Sequence, residues 1–141
     1  MGNHENTRLV LQMYSAWDGK TVTGLREVLA DSFIMELPGS VRHAAGKEVM
    51  VDKLVSYRQN YLSTKHDIVA IQPLLNKDNK EEWVTALVYS KWTYRNNARD
   101  SMLYQDIWKI KNGKINSLMS LELSPSRLGY KRLEQITKTQ N

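Results

Sequence analysis

Two stretches constrain the fold most. Residues 83–94 read WVTALVYSKWTY, and residues 104–123 read YQDIWKIKNGKINSLMSLEL. Both are rich in β-branched and aromatic residues and alternate apolar with polar, the pattern of strands with one buried face. Only residues 95–103, which open with the polar loop RNNARD, separate them, and Asn112-Gly113 divides the second into two strands. A parallel crossover needs a dozen residues or more, so connections this short impose antiparallel pairing. HDIVAIQPLL precedes them as a further strand, set off by the polar turn NKDNKEE; Pro73 marks an edge or a strand end, because it cannot donate to a ladder.

The segment before these strands is helical. Leu9, Val10, Met13, Tyr14 and Trp17 fall at spacings of one, three and four, predicting a helix over Asn6–Trp17. Asp18-Gly19-Lys20 ends it, with Gly19 as the expected left-handed stop. A second helix carries Leu25, Val28 and Leu29, with Thr21 or Thr23 as its cap. SFIMEL is a short strand stopped by Pro38-Gly39. Met50, Leu54, Tyr57 and Tyr61 predict a third helix over Lys47–Leu62. Helices first and antiparallel strands after make an α+β domain, with helices packed on one face of a curved sheet. A ligand pocket between the two is the expected consequence.

At 141 residues the chain has enough length for one domain with a real core, predicted over residues 1–123. Net charge is +5, and residues 124–141 carry four of the cations against one anion, leaving the body at +2. That basic tail holds one aromatic, Tyr130, and not the basic stripe with interleaved aromatics that nucleic-acid binding requires. No apolar run approaches the ~20 residues of a membrane-spanning helix. MGNHENTRLV is polar where a signal peptide needs an apolar core, so a cytoplasmic location is the expectation. The absence of cysteine excludes disulfides and thiolate chemistry.

One residue sits oddly in the strand pattern. Asp106 alternates with Met102, Tyr104, Trp108 and Ile110, all of which favour a core. A buried carboxylate must be hydrogen-bonded, paired or neutralised. Two readings follow: a neutral acid that donates to a substrate oxygen, or a structural aspartate bonded to Tyr14 or to a tryptophan N–H. The turn at Asn112-Gly113 decides what joins it. A two-residue turn pairs Lys111 with Lys114 and opposes Asp106 to Met119. A three-residue turn with Gly113 as a bulge pairs Ile110 with Lys114 and opposes Asp106 to Leu118. The bulged turn sorts the faces better. It collects Tyr104, Asp106, Trp108, Asn116, Leu118, Ser120 and Glu122 on one side, and Leu103, Ile107, Met119, Leu121 and Leu123 on the other.

The order helix, helix, short strand ending in Pro-Gly, helix, long strands, with the hairpin DIWKIKNGKI, resembles the NTF2-like superfamily, in particular its SnoaL-like and ketosteroid-isomerase-like branch. The resemblance covers about residues 6–123. It implies an NTF2-like cone, three N-terminal helices on a curved, mostly antiparallel sheet, and a homodimer formed through the outer sheet face. In ketosteroid isomerases a first-helix tyrosine and a protonated strand aspartate form an oxyanion hole. Tyr14 and Asp106 fall on those positions. The general base lies just before the short strand's proline, where this chain has Leu37. Glu36 is adjacent but points to the opposite face of a strand, which argues against steroid-type isomerisation.

Asp106, Tyr14 and Glu122 are therefore the candidate catalytic residues: acid, oxyanion donor and base. Trp108, Tyr104, Leu37, His43 and Ser120 are candidate substrate-binding residues. His43, in VRHAAG, is placed at the pocket mouth, whereas His66 reads as a surface strand start. No histidine pair has metal-ligand spacing, so neither metal nor other cofactor is expected. The expected function is acid–base chemistry on a small molecule: isomerisation, cyclisation, dehydration or hydrolysis. The alternative is a non-catalytic ligand-binding or dimerisation module.

Overall fold

The computed structural model describes residues 2–37, 41–74 and 82–125. Three helices, α1 (Gly2–Asp18), α2 (Val22–Val28) and α3 (Lys47–Asn60), accompany six strands: β1 (Leu29–Leu37), β2 (Val41–Ala45), β3 (Tyr61–Leu74), β4 (Glu82–Tyr94), β5 (Arg99–Lys111) and β6 (Lys114–Pro125). The sheet order is β2-β1-β6-β5-β4-β3. Every neighbouring pair is antiparallel except β1 with β6. Pro38-Gly39, most of the polar turn before β4, and the basic tail from residue 126 lie outside the described residues. No helix among the described residues is long and apolar enough to cross a membrane.

α1 buries Val10, Met13, Tyr14 and Trp17, the stripe its periodicity marks. Its end differs from the expectation. The left-handed residue is Lys20 (φ 55), not Gly19. The Thr21 N–H reaches back to the Ala16 carbonyl at 2.9 Å, closing a Schellman-type turn around that lysine. α3 ends two residues before the expected Leu62, because β3 begins at Tyr61 rather than His66. Pro73 lies near the end of β3, an edge strand that pairs only with β4, the setting in which a strand tolerates proline. Leu62 and Val69, half-exposed on β3, fall where its register with β4 slips by one residue. Bulges of this kind blunt an edge against further strand pairing.

The hairpin has the two-residue turn, not the favoured bulge at Gly113, and its register then departs from both schemes. Lys111 pairs with Lys114 across a two-residue turn, with Asn112 (φ 54) and Gly113 (φ 73) both left-handed. This is the type I′ signature of Asn-Gly. The extra residue comes later. Ile110 opposes Ile115, but Lys109 opposes Ser117, so Asn116 bulges out of β6. Asp106 then faces Ser120 and Tyr104 faces Glu122. The bulge has moved from Gly113 to Asn116, and the face assignment of Ser120 and Glu122 survives because either bulge restores the same parity. Asn116 leaves that face and accepts a hydrogen bond from Ser32 at 3.3 Å.

The core lies between the helices and the concave sheet face. Val10, Leu25, Phe33, Leu54, Val84, Val88, Trp108 and Ile115 are its most buried members. On the outer face Leu103 is buried and Ile107 and Leu121 are half-buried, while Met119 and Leu123 stay exposed.

Candidate functional site

A cavity of about 330 Å³ opens between α1, α3 and the sheet. Tyr14, Tyr104, Asp106, Trp108, Ser120 and Glu122 all line it. Leu37 and His43 lie on β1 and β2, in a stretch whose side chains are outside the described residues.

At the buried end, α1 and three strand positions converge. Asp106 is 5% exposed. Its Oδ2 accepts the Tyr14 hydroxyl at 2.6 Å, and its Oδ1 accepts the Ser120 hydroxyl at 2.6 Å. The Tyr14 oxygen in turn accepts the Trp108 indole N–H at 3.0 Å, with the two rings edge to face. Burial pushes the Asp106 pKa up, against the two hydrogen bonds and the charge of His66, which favour the carboxylate. Burial likewise pushes Tyr14 well above the ordinary phenol range, and the adjacent Asp106 adds to it. Both groups are therefore held toward their protonated forms.

His66, read from sequence as a surface strand start, also lines this cavity. Its ring packs 5.2 Å from the Tyr14 ring. Asp18, the last residue of α1, grips it twice: Oδ2 accepts the His66 backbone N–H at 2.8 Å, and Oδ1 accepts Nδ1–H at 2.6 Å. Only 17% of the His66 side chain and 23% of that of Asp18 are exposed. When the ring is neutral, a carboxylate on Nδ1 keeps the proton there and leaves Nε2 as the acceptor. Sequence reasoning missed this dyad. One signal existed: Asp18 follows Tyr14 by four residues, so both project from the same face of α1.

Glu122 is exposed, and no cation among the described residues pairs with it. It faces Tyr104 across the β5–β6 ladder, and the Tyr104 phenol is pushed up to about 12, by burial first and by Glu122 next. Trp17, Tyr57 and Tyr61 form an aromatic wall, with Tyr57 edge to face at 5.2 Å with each of the other two. Met13, Met35 and Met50 supply soft apolar surface. No cluster of three metal-ligating side chains occurs among the described residues.

The cavity thus sets a potential proton acceptor, His66 Nε2, beside a hydroxyl donor, Tyr14, in apolar and aromatic surroundings. Such a pair can move a proton while stabilising negative charge on an oxygen.

No family model matches the sequence, and no curated protein matches it. Solved structures do. An LEH-like epoxide hydrolase from M. tuberculosis superimposes with a TM-score of 0.73 at 15% identity, over 87% of this chain and 86% of that one. A proposed scytalone dehydratase from Novosphingobium aromaticivorans gives 0.71 at 13% identity, over 84% and 81%. An NTF2-like protein of unknown function from Burkholderia pseudomallei gives 0.63 at 12% identity, over 82% and 88%. At these identities the likeness establishes the fold, and the fold is NTF2-like.

Proposed function

We propose that this NTF2-like chain is a cytoplasmic enzyme that binds an apolar, oxygen-bearing small molecule in its cavity and acts on it by acid–base chemistry. The observation that carries the reading is His66, held by Asp18, lining the cavity beside Tyr14. His66 Nε2 takes a proton from the substrate, and Asp18 steadies the imidazolium that forms. The Tyr14 hydroxyl donates to the oxygen on which negative charge develops. When Asp106 takes up a proton the Tyr14–Asp106 bond reverses: the Asp106 O–H and the Trp108 N–H then both donate to the Tyr14 oxygen, and the Tyr14 proton turns from Asp106 to the ligand. Return of the proton to another carbon is isomerisation; loss of a hydroxyl is dehydration; attack of a His66-activated water is hydrolysis. Two neighbours of this fold are named an epoxide hydrolase and a proposed dehydratase, reactions within this range. Glu122 is kept as a second carboxylate toward the exposed end of the cavity, and Tyr104, Trp108 and Ser120 as binding surface.

The test is a panel of aromatic ketones, epoxides and β-hydroxy carbonyl compounds, assayed with wild type and His66→Ala. Turnover that falls by about 10²–10⁴ in the variant is expected; turnover that survives unchanged removes His66 from the mechanism.

A second reading rests on Asp106. Each of its oxygens already has a protein donor, as in a structural network. On that reading the cavity binds a ligand without turning it over. Ligand binding that persists in His66→Ala, with no turnover of any panel member by wild type, is its signature. In either case a homodimer through Met119, Leu123 and the neighbouring outer sheet face is proposed, and a monomeric mass by light scattering at micromolar concentration argues against it.

A further inference from the structure

Among the described residues three serines are buried: Ser90, Ser101 and Ser120. Two have committed hydroxyls. Ser120 donates to Asp106, and Ser101 accepts from Tyr89 at 2.8 Å. Ser90 differs. It is 7% exposed, it lines the cavity, and its hydroxyl makes no hydrogen bond to the described residues. A hydroxyl withdrawn from bulk water without a protein partner carries a desolvation penalty, unless something in the cavity satisfies it.

Its partner across the β3–β4 ladder is His66. Successive residues of an antiparallel pair turn their N–H groups alternately toward the partner strand and away from it. The His66 N–H is taken by Asp18 rather than by β4, so it points off the open edge of β3. His66 and Ser90 therefore form a ladder pair without mutual backbone bonds. Such pairs bring their side chains closest, with Cα atoms about 4.5 Å apart. Both side chains stand on the cavity face. Asp18 holds Nδ1 toward the edge, which leaves Nε2 on the inward side of the ring, over β4, with no partner among the described residues. Carboxylate, imidazole and hydroxyl thus follow one another in the order that activates a nucleophile. The last link, Ser90 Oγ to His66 Nε2, is not made. An unbonded serine has its staggered positions free to it, and links of this kind commonly close only around a substrate.

We infer that Ser90 is a nucleophile served by His66 and Asp18, and that the cavity has a second activity: cleavage of an apolar ester through an acyl-serine. Ser90 Oγ adds to the ester carbonyl while its proton passes to His66 Nε2. The bond from the carbonyl carbon to the alcohol oxygen then breaks, and His66 returns the proton to that departing oxygen. Water, deprotonated by His66, next adds to the acyl-serine; the bond to Oγ breaks, the acid leaves, and the proton restores the Ser90 hydroxyl. The aromatic and methionine side chains of the lining suit an aromatic ester. This activity shares His66 with the reaction proposed above and requires neither Tyr14 nor Asp106.

The experiment incubates the full-length chain with naphthyl acetate and maps the acetyl group by peptide mass spectrometry. Acetylation of Ser90 is expected, with none on Ser101 or Ser120, which are also buried but already bonded. His66→Ala, with Ser90 intact, should be acetylated at that serine at least about 10²-fold more slowly. Asp18→Asn keeps the shape of the contact and should slow it too, and it serves if the alanine variant does not fold. A wild-type protein acetylated on lysines or tyrosines and not on Ser90 overturns the nucleophile. So does Ser90 acetylation at an unchanged rate in the variants. The ketone, epoxide and β-hydroxy carbonyl panel is run on the same proteins. Panel turnover that depends on His66, beside an unreactive Ser90, overturns the nucleophile and leaves the acid–base reading standing; an acetylated Ser90 beside an inert panel does the reverse.

Discussion

The Tyr14 hydroxyl and Asp106 Oδ2 meet at 2.6 Å across the domain, one on the first helix and one on the fifth strand. The same phenol oxygen accepts the Trp108 N–H, and the same carboxylate accepts Ser120. Four residues from α1, β5 and β6 form one continuous buried chain of hydrogen bonds. In a low-dielectric interior each member depends on its neighbours, so single substitutions orphan a partner as well as removing a group.

Tyr14→Phe is expected to lower stability by about 1–3 kcal/mol, because it strips a donor from Asp106 and the acceptor from Trp108 while preserving ring packing. Urea unfolding followed by fluorescence measures it. Stability equal to wild type contradicts the network.

The pH dependence follows from Asp106. Burial raises its pKa in the folded state, so between the unfolded value, about 3.9, and the raised folded value the native protein holds a proton that the unfolded chain has released. Stability from this group is fully present below the unfolded value and is lost as pH rises through that window. Asparagine does not titrate. The stability of Asp106→Asn relative to wild type should therefore climb with pH across the same window. Urea midpoints of both proteins from acid to neutral pH give the comparison, and a flat or falling difference contradicts a raised Asp106.

Much of this arrangement was written locally, and the remainder was not. Alternation in β5 puts Tyr104, Asp106 and Trp108 on one face whatever the partner strand does. The position of Asn116 outside the ladder depends instead on a bulge that follows an ordinary type I′ turn, and no local residue announces it. The cavity-facing role of His66 was hidden for a different reason. Its partner lies 48 residues earlier, at a helix end whose Asp-Gly-Lys sequence reads as a stop signal. The α1 stripe was read from its apolar members alone, and Asp18, one turn beyond Tyr14, was the polar residue on it that mattered.

Asp18→Ala removes both bonds to His66. A loss of about 1–2 kcal/mol is expected, near the lower end for charge-assisted bonds because the pair is partly exposed. Nitrogen NMR of the imidazole gives a readout that bulk destabilisation does not move. In the neutral ring, wild type carries the proton at Nδ1 beside Asp18, and the variant shows a mixture of tautomers. A ring that keeps its wild-type tautomer in Asp18→Ala contradicts the positioning role.

Gly113→Ala places a Cβ at φ 73, with open space around it. Only backbone strain opposes it, so a cost of about 1–2 kcal/mol is expected. Thermal unfolding should show that loss with naphthol affinity intact, since the turn lies outside the cavity-lining residues. Unchanged stability contradicts the left-handed turn.

The central claim is that His66 and Tyr14 handle one proton and one negative charge on the same bound molecule. The ionisation of cavity-bound nitrophenol tests it most directly, because the phenolate is coloured and the phenol is not. Wild type is predicted to drive bound nitrophenol toward the phenolate, relative to free nitrophenol at the same pH. His66→Ala and Tyr14→Phe should each still bind it but lose that shift. An unshifted ionisation in wild type, or a shift that survives both substitutions, contradicts the account.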